Sequence, residues 1–413
     1  MELIQIVIYA SVYLGLIATV FYALSYIDFK KKEEVLFSDD ELPFVSVLIP
    51  AWNEGKTIAR TIASIMASNY KKFEVIVIDD GSTDNTLSIV KKLKDKYDNL
   101  IVYHKQNGGK GVALNFGIPK AKGEIIFTMD ADTYIHPESM KRMVRYFKDK
   151  EVMCVSPAML VYNPKTIIER IQQAEYLLGL FLRKAFSILN AIFVTPGAFS
   201  AYRKKFFEKH GGYDETSITE DMELALKIQF NGYKIANCPD APAWTIAPST
   251  FKETLLQRRR WYYGWVKNLW KYRKICTRKY GDLGAFVIPT AGLNIIFSLT
   301  VVIYAFFKAI FTIKDEILFL NSVNFDLSGA WNINLYVLER FLFLFLSNPV
   351  MLFVLVFMAI FVVYTKYATR KTGKAPGLLW NFILFFAFFS IIFGFWWIIS
   401  LIYLAFNKGV KWR

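Results

Sequence analysis

Carboxylates stand where short apolar, β-branched runs of the sequence end. Asp79 and Asp80 close one such run, and Asp130-Ala-Asp132 closes another. Ligands of an open parallel sheet bind at the carboxyl ends of the strands, so we expect these carboxylates to line one pocket. Asp130 and Asp132, two residues apart, can together hold Mg²⁺ or Mn²⁺, mostly through Asp132, and the cation can then bind a substrate diphosphate. A simple strand–turn–helix cap is the alternative explanation for the first pair.

Neighbouring segments have residue types that suit a nucleotide. Asp80 can accept hydrogen bonds from a base imide or a ribose hydroxyl. Ala51 and Glu54 lie at the end of the first predicted strand, which is expected to lie beside the strand that ends at Asp80. Lys110, in the Gly-rich segment 107–115, can meet an anion at a helix N-terminus. Considered alone, Glu54 is better explained as a helix-starting acid, and the Gly-rich segment as an ordinary turn.

An acidic segment, Thr219-Glu220-Asp221, precedes a predicted helix that Gly232 ends. Acidic residues in a first helical turn suit the helix dipole, which is the simple explanation. The functional explanation is a general base, because transfer of a sugar to a hydroxyl requires a group that takes the hydroxyl proton. Asp221 is the candidate for that base.

A helix predicted over 251–275 is rich in aromatic and basic residues and contains Gln257-Arg-Arg-Arg260-Trp261. Arg260 can hold a diphosphate by bidentate hydrogen bonds, and Trp261 offers a flat face to a sugar ring. The pattern also fits a helix that lies among lipid headgroups, as does the stretch 166–189. A buried domain helix is the alternative.

The composition requires both a membrane-embedded part and a water-facing part. Of 413 residues, 54% are hydrophobic and 21% are charged, and the mean hydropathy is +0.30. The net charge of +15 suits nucleic acid, an anionic membrane face or a phosphorylated substrate, and the apolar content favours the membrane. Neither a disulfide framework nor a metal-ligand spacing is formed by Cys154, Cys238, Cys276, His104, His136 and His210.

The apolar runs predict four membrane spans, one before and three after a water-facing domain. The runs lie at 4–27, 283–311, 341–364 and 378–406. The first run is too long for a cleaved signal peptide. Basic residues follow the first run and separate the last two, which predicts that both places are cytoplasmic. These residues are Lys30, Lys31, Lys32, Lys366, Arg370, Lys371 and Lys374.

Between the first two spans, short β-branched runs alternate with helical stretches. This alternation predicts a mostly parallel sheet with helices on both faces. The predicted strands lie at 45–49, 75–78, 101–103, 125–129 and 152–155, and the predicted helices at 57–68, 86–96, 111–118 and 137–148.

Taken in order, the motifs DDGSTD, DAD, TED and QRRRW resemble those of the membrane-bound family 2 glycosyltransferases. The likeness covers about residues 40–275, and QxxRW is its most specific part. Within the family, the chain is similar to the processive synthases of cellulose, chitin, hyaluronan and poly-N-acetylglucosamine. The resemblance implies an α/β domain of the GT-A type, joined to a helical transmembrane region with interfacial amphipathic helices.

The resemblance also implies roles for individual residues. Asp221 matches the catalytic base, and Asp132, with Asp130, matches the metal-binding position. Contact with the nucleotide sugar is implied for Ala51, Glu54, Asp80, Lys110, Asp130, Gln257 and Arg260. Contact with the acceptor is implied for Gly197, Glu220 and Trp261.

We therefore predict an inverting, processive glycosyltransferase of the cell membrane that elongates a β-linked polysaccharide and translocates it. The expected donor is a UDP-sugar, with UDP-N-acetylglucosamine favoured, and the expected cofactor is Mg²⁺ or Mn²⁺. The other expected partners are a growing polysaccharide or glycolipid acceptor and the lipid bilayer, without nucleic acid. The alternatives are a single-sugar transferase acting on a polyprenyl phosphate or lipid-linked oligosaccharide, and a non-catalytic nucleotide-sensing membrane protein.

The expected domain boundaries follow from the same patterns. They are a transmembrane helix at 1–29, a cytoplasmic catalytic domain at 40–250, the QxxRW helix at 251–280 and a multi-pass membrane region at 281–413. The sequence leaves the sugar, the linkage, the oligomeric state and any accessory subunit open.

Overall fold

The computed structural model describes residues 3–29, 37, 41–322, 335–347, 349–373 and 378–406. The chain divides into two compact units. The larger unit comprises Tyr22–Ile288 and Lys366–Arg413, and the smaller unit comprises Met1–Phe21 and Pro289–Thr365. Every residue predicted for the site belongs to the larger unit.

Eight strands of the described residues form one sheet. They are β1 (Val45–Ala51), β2 (Phe73–Asp80), β3 (Leu100–Lys105), β4 (Ile125–Met129), β5 (Thr133–Ile135), β6 (Val152–Val161), β7 (Phe199–Arg203) and β8 (Lys234–Thr245). Their order is β3-β2-β1-β4-β7-β6-β8-β5. The first four are parallel, as predicted. β7 runs antiparallel to both of its neighbours, and β5 runs antiparallel to β8, so the whole sheet is mixed.

Helices cover both faces of this sheet, as predicted. The helices of the chain are α1 (Leu3–Phe29), α2 (Ile58–Met66), α3 (Thr86–Lys94), α4 (Lys110–Gly117), α5 (Ser139–Val144), α6 (Ile167–Ile188), α7 (Lys204–His210), α8 (Glu220–Phe230), α9 (Phe251–Lys271), α10 (Ile288–Ser322), α11 (Leu335–Ser347), α12 (Pro349–Thr372) and α13 (Leu378–Ala405). One face packs on α2, α3 and α5, and the other on α4, α7 and α8.

The central strands are buried on both sides because their sequences are mostly β-branched and apolar, and the buried polar residues Ser46 and Glu74 of β1 and β2 hydrogen-bond to each other. In β1, Val47 and Ile49 join the core under α2, whereas Leu48 joins the core under α4. β2 alternates in the same way and ends at Asp80. The parallel strands therefore deliver their terminal polar residues to one edge of the sheet.

The two predicted interfacial helices, α6 and α9, each begin with a capping box. The hydroxyl groups of Thr166 and Thr250 each accept a hydrogen bond from the backbone N–H of a glutamate three residues later, and the carboxylate of that glutamate accepts one from the threonine backbone N–H. Both helices pack against α13 within the larger unit. Their placement at a membrane interface stays a prediction.

Two helical stretches of the described residues are long and apolar enough to cross a membrane. They are Leu3–Ile27 and Leu283–Ser322, the second of which begins with a π-helical turn at Leu283–Val287. Ile392–Ala405 is a shorter apolar helix. The total of four spans stays a prediction.

The span predicted at 341–364 stays a prediction. Its residues 341–347 and 349–364 are helical and belong to α11 and α12, and Asn348 lies outside the described residues. Lys366, Arg370 and Lys371 lie on α12 rather than in a loop. Lys30, Lys31, Lys32 and Lys374 lie outside the described residues.

Candidate active site

Asp80 ends β2 and organises the Gly-rich loop that precedes α4. Its Oδ1 accepts a hydrogen bond from Lys105 Nζ at 2.6 Å, and its carboxylate accepts two more from the backbone N–H groups of Gly108 and Gly109. Gly109 has φ of +92°, a left-handed conformation that glycine adopts without strain. Asp80 thus shapes the loop beside the predicted nucleotide, and its direct contact with a base stays a prediction.

The preceding carboxylate, Asp79, is fully buried and pairs with the neighbouring strand. His104 Nδ1 lies 2.6 Å from Asp79 Oδ2, so the imidazole is held by a charge-assisted contact if it is protonated and by a hydrogen bond if it is neutral. Each of the two adjacent carboxylates of the DDGSTD motif is therefore matched by a side chain of β3.

Hydrogen bonds connect the loop after β1 to the turn after β2. Asn53 has φ of +57°, and its side-chain oxygen accepts a hydrogen bond from Thr83 N at 2.8 Å. Glu54 N donates to Thr86 Oγ1 at 2.8 Å. Sequence reasoning identified Glu54 and Ala51 but missed Asn53, which is one of the few residue types that tolerate a left-handed backbone in a turn.

Asp130 and Asp132 follow β4 and form an acidic group with Glu54. Burial and, after it, the nearby Asp130 and Glu54 carboxylates raise the pKa of Asp132 to about 7, and Lys110 opposes this rise. Carboxylate oxygens are the ligands that Mg²⁺ and Mn²⁺ prefer, and the electrostatic crowding would be relieved by a cation. No set of three His, Cys, Asp or Glu side chains suited to a metal is found among the described residues. The donor set therefore fits a cation that takes its remaining ligands from substrate phosphates and water.

Lys110, the first residue of α4, lies at the centre of the site. Its Nζ is 2.6 Å from Asp130 Oδ1 and 3.3 Å from Glu220 Oε1. It also donates to the carbonyl oxygen of Gly197 at 3.1 Å. Burial alone would lower the pKa of Lys110, but Asp130, Glu220 and Asp221 outweigh burial and raise it. A single ammonium group thus joins the DAD, TED and Gly197 segments.

Asp221, the predicted base, is held by two backbone donors. Gly197 N donates to Oδ2 at 2.9 Å, and Met222 N donates to Oδ1 at 2.8 Å. A Cβ atom at position 197 would lie 2.6 Å from Asp221 Oδ2, so only glycine permits this approach. The carboxylate is oriented while each oxygen keeps a further lone pair that can accept a proton.

Glu220, beside the predicted base, is buried in the same group of charges. The pKa of Glu220 is raised to about 6: burial is the largest cause and Asp221 adds to it, whereas Lys110 and Arg260 oppose the rise. Arg260 of the QRRRW motif therefore acts electrostatically on the TED segment. The structure brings the four motif segments of the sequence to one region of the larger unit.

Comparison with known proteins identifies the domain that carries most of the candidate site. Residues 46–211 match the profile described as Glycosyl transferase family 2. They are a family 2 glycosyltransferase domain. The predicted resemblance is thereby confirmed, although the matched residues end before the TED and QRRRW segments.

The curated relatives agree with this assignment. The chain is 31% identical over 260 residues to the poly-beta-1,6-N-acetyl-D-glucosamine synthase of Staphylococcus aureus strain COL, across 62% of this chain and 63% of the relative. It is 32% identical over 223 residues to the synthase of the same name from Staphylococcus epidermidis, across 53% and 54%. The matched region is thus less than two thirds of the length of these relatives.

A solved structure confirms the GT-A-type fold. The chain is similar to a mannosyltransferase from Pyrobaculum calidifontis in complex with GDP-Man and Mn²⁺, with a TM-score of 0.56 and 21% sequence identity. The likeness covers 92% of this chain and 99% of that one. At this identity the likeness concerns the fold.

Helix α9, which lies beyond the residues matched by the family 2 profile, carries both binding candidates and structural residues. Arg258, the first arginine of the motif, is buried and forms two hydrogen bonds of 2.7 Å to Glu175 of α6. Its guanidinium carbon also lies 4.3 Å from the centre of the Trp261 ring, so a cation covers one face of that ring. Sequence reasoning missed Arg258, because the motif itself does not show which arginine faces α6.

Proposed function

We propose that this chain is a membrane-bound, inverting hexosyltransferase that elongates a β-linked polysaccharide processively. The proposed donor is a UDP-sugar, with UDP-N-acetylglucosamine favoured. One observation carries the proposal: Lys110 connects Asp130 of the donor side to Glu220 of the acceptor side. The names of the curated relatives support N-acetylglucosamine as the sugar and a polysaccharide as the product.

The chemistry assigned to the side chains follows from their positions. The acceptor hydroxyl oxygen attacks the anomeric carbon while the bond from that carbon to the diphosphate breaks, and the bonding electrons leave with UDP. Asp221 takes the hydroxyl proton on a carboxylate that Gly197 N and Met222 N hold in place. The single displacement inverts the configuration at the anomeric carbon.

The leaving diphosphate requires positive charge. Arg260 lies near Glu220, at the edge of the acceptor side, and can donate two parallel hydrogen bonds to phosphate oxygens. Asp130 and Asp132 would hold Mg²⁺ or Mn²⁺, which neutralises charge on the departing phosphates when bound. Gln257 is assigned to the same diphosphate, and Trp261 to the acceptor sugar.

The proposed enzyme acts at a membrane. Leu3–Ile27 and Leu283–Ser322 are each long and apolar enough to cross one, and they precede and follow the catalytic segments in the sequence. We place the catalytic domain in the cytoplasm, where nucleotide sugars are made, and infer that the product is translocated across the bilayer.

The test measures sugar transfer by the purified full chain in detergent or nanodiscs. The protein is incubated with radiolabelled UDP-N-acetylglucosamine, other UDP-sugars and GDP-mannose, with Mg²⁺, Mn²⁺ or a chelator. UDP release and product size are then measured. GDP-mannose is included because the solved structure of similar fold binds it.

The proposal predicts metal-dependent formation of a polymer, which Asp221→Asn abolishes. Asp98→Asn, the same change at an exposed aspartate, serves as the matched control and leaves the rate unchanged. Polymer formation by Asp221→Asn would remove Asp221 as the base. A single-sugar lipid product would favour the lipid-directed alternative, and UDP binding without turnover would favour the nucleotide-sensing alternative.

A further inference from the structure

The second half of α9 contacts the TED segment directly, through side chains that no motif includes. Asn268 is 4% exposed, and its amide donates to Thr219 Oγ1 at 2.9 Å and to the Thr219 carbonyl oxygen at 3.3 Å. Thr219 is 6% exposed and directly precedes α8. These buried bonds fix the backbone two residues before Asp221.

A glycine one helical turn earlier allows α9 to approach this closely. A Cβ atom at Gly264 would lie 2.2 Å from Thr219 Oγ1 and 2.6 Å from its Cγ2. No side chain other than hydrogen fits at that distance without moving Thr219. Gly264 and Asn268 lie four residues apart, so they are on the same face of the helix.

A second set of bonds joins the same two helices farther along. Glu223, which is 1% exposed, accepts hydrogen bonds from Lys271 Nζ and from the Tyr272 hydroxyl, each at 2.6 Å. Lys271 also bridges to Asp214 at 2.7 Å. The relative orientation of α8 and α9 is thus set by two layers of polar contacts.

We propose that Gly264 and Asn268 are positioning residues for the transfer step. They hold Thr219 so that Asp221, at the start of α8, keeps a constant place relative to Arg260 and Trp261, in the middle of α9. The acceptor base and the diphosphate-binding residues then behave as one body. This inference rests on the proposed function. Gly264 and Asn268 act on the transfer step through Thr219 and not by contact with the substrate.

The positioning role makes a specific kinetic prediction for Asn268→Ala. A small displacement of a catalytic group can cost up to about a hundredfold in rate. We therefore expect kcat for transfer to fall between about tenfold and a hundredfold, while KM for the donor changes by less than about twofold. The variant misaligns the acceptor hydroxyl with the base, whereas a water molecule needs no such alignment. The ratio of donor hydrolysis to sugar transfer is therefore expected to rise.

Two further variants separate positioning from packing. Asn268→Leu keeps nearly the volume of asparagine but removes both hydrogen bonds, so the positioning role predicts a loss as large as that of the alanine variant. Gly264→Ala displaces Thr219 and is expected to give the same rise in the hydrolysis ratio. Asn231→Ala, the same change at an exposed asparagine after α8, is the control and leaves the ratio unchanged. Wild-type kinetics for Asn268→Leu, or an unchanged ratio in all the variants, overturns the proposal.

A second measurement does not depend on turnover. Hydrogen–deuterium exchange of peptides covering 214–224 should be faster in Asn268→Ala than in the wild type, while peptides from β1 and β2 exchange equally in both. Unchanged exchange at 214–224 contradicts the positioning role of Asn268 even where activity falls. If the wild type transfers no sugar at all, the proposed function fails, and the exchange result still decides whether Asn268 holds the TED segment.

Discussion

Removal of the Lys110 ammonium group should destabilise the larger unit and should do so in a pH-dependent way. The Lys110 Nζ lies 2.6 Å from Asp130 and 3.3 Å from Glu220. With an effective dielectric constant of about 20, unit charges at those separations attract by about 6 and about 5 kcal/mol. Desolvation of the three ions offsets most of this attraction, but a variant without the cation keeps the desolvation cost.

Breaking a buried ion pair by removing one partner typically costs about 3–5 kcal/mol. We expect Lys110→Met, which keeps the length of the side chain, to lower the free energy of unfolding by at least about 3 kcal/mol at pH 8. The pKa of Glu220 is about 6 with Lys110 present and rises further without it. Protonation then neutralises Glu220 as the pH falls, so the loss of stability at pH 5 is smaller than at pH 8.

The assay is denaturant unfolding of the purified chain in detergent, followed by tryptophan fluorescence at both pH values. Lys148→Met is the matched control, because Lys148 pairs with Glu41 at 2.9 Å with both side chains more than a third exposed. Such a surface pair contributes less than about 1 kcal/mol. A loss for Lys110→Met no larger than that of the control, or a loss that does not change with pH, would refute the central role of Lys110.

Two more predictions concern buried charges around the site. Because the pKa of Glu220 is raised from 4.5 to about 6, the folded chain binds this proton more tightly than the unfolded chain, and stability is lost as the pH rises through 6. Glu220→Gln should therefore raise the unfolding free energy by up to about 2 kcal/mol at pH 8 and leave it unchanged near pH 4; a loss at pH 8 would contradict this. Arg258→Met should lower it by about 3–5 kcal/mol, since it leaves Glu175 without its cation, and Arg258→Met/Glu175→Met should recover most of that loss. Equal stability of the single and double variants would show that the unpaired Glu175 carboxylate is not the cause of the loss.

The strands of the parallel half of the sheet were predictable because burial on both faces demands continuous apolar runs. β1, β2 and β4 are such runs apart from Ser46 and Glu74, and each lies where the sequence indicated. β8 was not predicted, since Pro239, Asp240 and Pro242 lie within it and are typical of turns. The register shift between β6 and β8 at Ser156 and Ala158 shows how the pairing accommodates those residues.

The candidate site was predictable as a set of motifs but not as a set of contacts. The ends of β2 and β4 had to share an edge of the sheet, which brings Asp80 and Asp130 together. Nothing local showed that Lys110 would face Asp130 and Glu220 at once, because those partners are 20 and 110 residues away in the sequence. Likewise, the sequence did not show that Asp80 would accept hydrogen bonds from Lys105 and the Gly-rich loop.

One signal in the sequence did point to the contact between α8 and α9. A glycine inside a helix costs about 1 kcal/mol relative to alanine, so its presence requires a compensating reason. Gly264 lies in the middle of α9, and the surrounding residues show no kink or turn. The close approach of Thr219 supplies the reason, because a methyl group at position 264 would overlap the Thr219 side chain. The cost of this glycine is therefore offset by a contact with the segment that carries the proposed base, which is what a positioning helix requires.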